Sequence, residues 1–445
     1  MSTPFDAARS RTLSRRHMLR MLGSAAVAAP VTGALGACGS GSGTSGGSTT
    51  KSLTFTYMGT ASQQAQWNQL FAQFSKKYPN IKLKPQAVAG NNWGTFFNKV
   101  STQIAGGQTP DIIQIATEGQ RLFASKGLLE PLDPYIARDK SVIDSYYADL
   151  NPNLIKWNKE HSSPDGKTYY LPGEFNTMAM WCNKDLFAKA GVDLPAEGAD
   201  WTWEEFRSAC QKIKAATGAF GYAAQAAYFV GIMPWLLTNG TSSFNADWSQ
   251  PTFNTPAAVE AAEFNRSLVA DKLSPPPGGT FDAATTLAQG KLAMFGGGRW
   301  PVIDERKLGA IDKITIVKWP IRVKAGSPVG WNGYPILKAS QHKDDAWTFI
   351  KFLISKEGTS FFAKLGGTIV PARKSVAASQ DYLADSPAGT PLLYDALSYA
   401  TPVPSPDKGA EVQKTIEDAW QQVLAGNTPP PSALGQAQQK LQTLV

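Results

Sequence analysis

The chain is short of the residues that most often carry chemistry. Its 445 residues include three cysteines and three histidines. A Cys/His metal cluster has little to build from: His17 sits in a basic N-terminal segment, and His161 and His342 are isolated in polar surroundings. No nucleophile with an adjacent base stands out. Glu118 and Glu174 are the one carboxylate pair a glycosidase could use, and nothing in their spacing brings them face to face. Basic residues form no stripe. Lysines mix with acids, as in Lys343-Asp344-Asp345, which argues against a nucleic-acid footprint. The apolar run from Met21 to Ala37 is alanine- and glycine-rich, and falls short of the roughly 20 strongly apolar residues of a membrane span. Gly41 to Gly46 fits GxGxxG and Gly43 to Gly47 fits GxSxG. Neither follows a strand or opens a helix, so neither carries chemistry.

What is present begins at the N-terminus. Ser14-Arg15-Arg16-His17-Met18-Leu19-Arg20 precedes a modest apolar stretch that closes on Leu35-Gly36-Ala37-Cys38. A basic segment, a short apolar segment and small residues before a cut describe an export signal. The closing run resembles the lipobox of bacterial lipoproteins, and the paired arginines resemble a Tat signal. The resemblance implies that residues 1–37 are removed and that Cys38 becomes the lipidated first residue on the outer face of the cytoplasmic membrane. Five arginines against Asp6 place half of the formal charge of +8 in that leader. Residues 38–52 are Gly/Ser/Thr-rich and read as a flexible tether. The remaining cysteines, Cys182 and Cys210, could pair outside the cell or serve as small buried hydrophobes.

From Leu53 onward, strands and helices alternate. Leu53, Phe55 and Tyr57 mark a strand by their period of two. Trp67, Leu70, Phe71, Phe74 and Tyr78 follow at helical spacing, and Pro79 ends that helix. Ile81 and Leu83 predict a second strand. Phe96, Phe97, Val100 and Ile104 predict a helix, and Ile112 to Ile115 a third strand. This order implies a mostly parallel sheet flanked by helices. Thr202 with Glu205 forms a capping box, and Thr255-Pro256 opens another helix. Ile311 to Trp319 reads as a strand and Asp345 to Ser355 as a helix. Two further helices are split by Pro429-Pro430-Pro431. So long a chain exceeds one ordinary hydrophobic core, so two lobes are expected.

Several stretches together resemble the extracellular solute-binding proteins of carbohydrate ABC importers, similar in type to maltose-binding protein. They include Lys77-Tyr78-Pro79-Asn80-Ile81, Ala105 to Ile113, Gly127 to Asp133 and Gly166 to Pro172. Trp181 to Phe187, Trp201 to Phe206, Gly290 to Met294 and Ala346 to Leu353 complete the pattern. Cys182 departs from it, standing where the family usually has tyrosine. The resemblance implies an α/β fold of two lobes that close by hinge bending around a ligand in the cleft between them. Lobe one would comprise residues 53–173 and 331–371, and lobe two residues 177–328 and 375–445. The chain would cross near Pro172–Asn176, Val329–Gly333 and Ile369–Arg373. It further implies a monomer without cofactor, metal or catalysis. The partners would be a carbohydrate, an ABC permease with its cytoplasmic ATPase, and the membrane through the lipid anchor. Glycerophospho-compounds and polyols stand as alternative ligands.

A sugar presents hydroxyl groups and flat C–H faces, so its site needs polar side chains and aromatic rings at strand ends. Thr60 follows the first strand, and Glu118 the third, where an acid could bind hydroxyls or simply favour a helix N-terminus. Glu174 and Asn176 stand at the first crossing. By resemblance, Trp300 after Gly296-Gly297-Gly298-Arg299 is the stacking ring. Trp331 and Asn332 lie between glycines at the second crossing, and Tyr228, Phe229 and Trp235 belong to an aromatic loop. Arg299 could clamp hydroxyls or a phosphate, or form a salt bridge. Arg373 is expected to be structural, and Trp93 a helix-start aromatic.

Overall fold

The computed structural model describes residues 52–445 except 91, 117–118, 279–280, 367–368 and 385. The leader, Cys38, most of the tether and Glu118 lie outside the described residues.

The first half is built on a parallel sheet. Strand β1 (Ser52–Gly59) runs between β2 (Lys82–Ala89) and β3 (Ile112–Ile113). Helix Ala61–Lys77 joins β1 to β2, and helix Trp93–Ala105 joins β2 to β3. Buried aromatics glue sheet to helices: Phe55 lies within 6.0 Å of Tyr57, Trp67, Phe71, Tyr334 and Phe349. Strand β2 is the exposed edge, and Lys82, Lys84 and Pro85 discourage pairing with another chain. The expected strand Ile112–Ile115 divides its bonds. Ile112 and Ile113 pair with β1, while Ile115 bridges to Gly333.

A second sheet joins the halves. Strands β4 (Glu174–Thr177), β9 (Ser327–Asn332), β10 (Val370–Pro371) and β11 (Ala400–Pro402) pair in the order β10-β4-β9-β11. All three segments expected to be crossings therefore lie side by side, with Glu174 opposite Asn332 and Pro371 opposite Glu174.

The third sheet, β6-β7-β5-β8, comprises β5 (Ala179–Asn183), β6 (Phe220–Tyr222), β7 (Leu292–Gly297) and β8 (Ile314–Val317). The expected strand at Ile311 is a 3-10 turn up to Lys313, then strand. The first sheet is parallel throughout. The other two add antiparallel pairs, because the returning chain enters them in the reverse direction. The predicted capping box at Thr202 forms, and its helix, Trp203–Thr217, ends at Gly218 with φ 75°. Thr255 caps Pro256–Ala270 as expected. Helices Gly409–Leu424 and Pro430–Leu441 are separated at Pro429.

Cys182 and Cys210 are both buried and free, and burial pushes both thiols up. The structure thus keeps them as small hydrophobes in one core. His161 is not isolated in polar surroundings: it stacks on Trp248. Among the described residues no helix is long and apolar enough to cross a membrane, and no group of three or more His, Cys, Asp or Glu is placed to hold a metal.

Candidate functional site

A cavity of about 420 Å³ opens where the three sheets meet. One wall comes from the C-terminal ends of the first sheet and the helices after them: Thr60, Asn92, Trp93 and Gln114. The crossing sheet supplies the floor with Glu174, Asn176 and Asn332. The opposite wall carries Tyr228, Phe229, Trp300, Asp304 and Glu417. Loops beyond the carboxyl ends of α/β strands are where such folds place ligands.

Local sequence explains each position. Thr60 is the N-cap of Ala61–Lys77 and forms a capping box with Gln63. Asn92 caps the next helix through Thr95, which leaves Trp93 at its first turn, its ring stacked on Phe97 at 5.7 Å. Trp300 is set by the glycine run before it. A Cβ on Gly298 would stand 2.5 Å from the Trp300 ring and 2.6 Å from Asn176 Oδ1. Only glycine lets ring, amide and backbone approach this closely. Tyr228 begins a π-helical turn, Tyr228–Ile232, a distortion frequent at functional sites. Its backbone N–H donates to Glu417 Oε1 at 2.8 Å.

The polar groups divide by role. Four amide oxygens are already occupied by backbone N–H donors. Gln63 accepts from Thr60, Gln114 from Met58, Asn92 from Thr95, and Asn176 from Arg299. Their NH₂ groups remain as donors. Acceptors come from Glu174, Asp304 and Glu417 and from the amide oxygens of Asn332 and Gln413. Glu174 is 7% exposed, and burial pushes its carboxyl up to about 8. Burial also raises Glu417, opposed by the Tyr228 backbone bond.

Of the residues singled out from sequence, Thr60, Glu174, Asn176, Tyr228, Trp300 and Asn332 line this cavity. Three others do not. Trp235 is fully buried, its ring within 5.6 Å of those of Trp203, Phe206, Tyr222 and Trp319. Trp331 is equally buried and donates to Asn158 Oδ1 at 2.9 Å. Both rings complete hydrophobic cores, which explains why their spacing reads as helical or crossing aromatics. Arg299 is fully buried as well. Its guanidinium lies 4.3 Å from the Tyr382 ring and donates to the Tyr382 carbonyl and the Ser386 hydroxyl, so it points away from the cavity. Arg373 is structural as expected, tied to Asp149 and to the Ile354 carbonyl. Asn92, Gln114, Asp304 and Glu417 line the cavity as well, and Trp93, expected as a helix-start aromatic, turns its ring to the same space. The Asn92 capping pattern was the one signal available in the sequence. Glu417 reaches the cavity only through long-range packing.

The model of the bacterial extracellular solute-binding protein family matches residues 60–360. A binding protein of Brucella abortus (strain 2308) is 28% identical over 393 residues, covering 84% of this chain and 88% of the relative. The lactose-binding protein of Rhizobium radiobacter is 25% identical over 279 residues, covering 60% of this chain and 62% of its own. Among solved structures, a Listeria monocytogenes ABC substrate-binding protein in complex with cycloalternan superposes with TM-score 0.77 at 25% identity. It covers 88% of this chain and 98% of that one. The maltose-bound T. maritima protein shares the fold at TM-score 0.76 and 21% identity, covering 89% of this chain and 100% of that one.

Proposed function

The chain belongs to the family of bacterial extracellular solute-binding proteins, and from that premise we propose that it captures a carbohydrate for an ABC importer. The observation that carries this reading is the lining of the 420 Å³ cavity. Amide donors, carboxylate acceptors and the rings of Trp93, Phe229 and Trp300 converge on one space. A sugar hydroxyl both donates and accepts, and its ring faces stack on aromatics. The relatives named for lactose and arabinooligosaccharide support the same class. Relatives named for sn-glycerol-3-phosphate also exist. A phosphate, however, would meet no lysine or arginine among the described lining residues.

In this proposal the lobes are residues 53–173 with 331–371 and 177–328 with 375–445. They close over the ligand about the crossing sheet. The closed pair presents a joint surface to the permease, which the cytoplasmic ATPase drives. Lipid on Cys38 holds a monomer at the outer face of the cytoplasmic membrane after twin-arginine export, and the tether raises its local concentration near the permease. A thermal-shift screen against sugars, polyols and sugar phosphates tests the ligand class. A saturable shift with sugars supports it, and a response confined to phosphorylated ligands sinks it. Mass analysis of the exported N-terminus, with and without Cys38→Ala, tests the anchor.

A further inference from the structure

The described lining of the cavity carries acids and no basic side chain: three carboxylates, Glu174, Asp304 and Glu417, and neither lysine nor arginine. The cations close to it in the chain are engaged at its edge or elsewhere, Lys414 pairing with Asp418 while its charge acts on Glu417. Arg299 faces Tyr382 and Ser386, and Lys307 donates to the Ser62 hydroxyl at the rim. A site for an uncharged glycan needs acceptors, but amide and hydroxyl oxygens would serve. Here four of the amide oxygens are spent on backbone donors, and three carboxylates stand beside the Asn332 and Gln413 amides among the acceptors that remain.

Glu174 makes the imbalance acute. It is more than nine-tenths buried and borders the cavity. Its one hydrogen bond among the described residues comes from the Tyr334 hydroxyl at 3.5 Å. Among the described residues the titratable groups that face it are two phenols, Tyr334 and Tyr382, and no cation is paired with its carboxyl. A buried carboxylate without a counter-charge is costly, and a partner supplied by the ligand removes that cost. Glu417 stands on the opposite wall, one oxygen held by the Tyr228 N–H and the Gln413 amide.

We propose that the cleft selects a carbohydrate bearing a protonated amine, an amino sugar or a short amino-sugar oligosaccharide, with Glu174 and Glu417 as the specificity-determining acceptors. The proposal rests on the carbohydrate reading above. In the empty cleft, burial keeps Glu174 protonated near neutral pH. An arriving ammonium favours its carboxylate, so capture releases the Glu174 proton to solvent and the ion pair forms in its place. No covalent bond changes.

The test is calorimetric titration of the protein at pH 6.5 with matched sugar sets. Each set holds a 2-amino-2-deoxy mono- or disaccharide of the gluco or galacto series, its N-acetyl counterpart and its hydroxyl counterpart. The expected result is at least one set in which the free amine binds tenfold or more tighter than both counterparts. That preference shrinks in Glu174→Gln and in Glu417→Gln, and repeating the titration in phosphate and in imidazole buffer reveals proton release in the wild type but not in Glu174→Gln. If the hydroxyl or N-acetyl member of every binding set matches the amine, the amine inference is overturned while carbohydrate capture stands. If no sugar of any kind binds, the carbohydrate reading falls and the inference with it.

Discussion

The imidazole of His161 lies flat on the indole of Trp248, centroids 4.1 Å apart and planes at 14°. His161 ends helix Pro152–His161, which packs beside the crossing sheet through Asn158 and Trp331. Trp248 belongs to the core of the third sheet and holds a left-handed backbone, φ 64°, rare for a bulky residue. Arg121 pairs with Asp407 at 3.1 Å. The stack thus fastens chain segments far apart in sequence.

That stack predicts an acid-sensitive contact. Burial, aided by Arg121 and Lys156, holds the His161 ring down to about 4 from its ordinary 6.5. The folded state binds fewer protons than the unfolded state between those values. The contribution of His161 is therefore complete above about pH 6.5 and is lost as pH falls towards 4. Melting temperature measured across pH 4–7 will fall less steeply for His161→Phe than for the wild type. Equal slopes would remove His161 from the account.

Trp300 and Gly298 form one device for stacking. Trp300→Ala removes the platform and is expected to weaken carbohydrate binding by about 2 kcal/mol, roughly thirtyfold in Kd, with little change in melting temperature. Gly298→Ala forces the ring and Asn176 apart. It should lower affinity without removing any binding group, and an unchanged Kd would show that their placement is unimportant.

Trp235 and Trp331 should behave in the opposite way. Trp235→Ala opens a cavity in a packed aromatic core and is expected to cost about 3–5 kcal/mol of stability. Trp331→Phe loses the bond to Asn158 and leaves its oxygen short of a donor, costing about 1–3 kcal/mol. Chemical denaturation reads both, and the folded fraction should keep its affinity.

Glu174 predicts an alkaline effect. Its carboxyl is raised from 4.5 to about 8 by burial, so the folded state holds a proton that the unfolded state has lost. Stability from this group is fully present below about pH 4.5 and declines as pH rises through 8. Glu174→Gln removes that decline. Denaturation midpoints at pH 6 and pH 9 should converge in the variant, and a persistent difference equal to the wild type would contradict the assignment.

The alternating strands, the capping pairs at Thr202 and Thr255, and the proline break at Pro429 were legible because each depends on neighbours in the chain. Thr60, Glu174, Asn176, Trp300 and Asn332 were legible because strand ends and glycine turns mark where a cleft can form. Trp235 and Trp331 were misplaced for the same reason: a tryptophan beside glycines or on an apolar helix has one sequence signature whether its ring meets ligand or core. Direction is settled by packing, as between Trp331 and Asn158. Glu417 was invisible because a helix near the C-terminus reaches Tyr228 only in three dimensions.

Calorimetric titration of the protein with a panel of mono- to tetrasaccharides and sugar phosphates, run beside Trp300→Ala, tests the central claim most directly. Carbohydrate capture in the cavity predicts saturable one-site binding of a non-phosphorylated sugar, with Kd on the order of micromolar, or roughly −8 kcal/mol, and its strong weakening in the variant. Binding of a sugar phosphate alone, or a carbohydrate Kd that Trp300→Ala leaves unchanged, would contradict it.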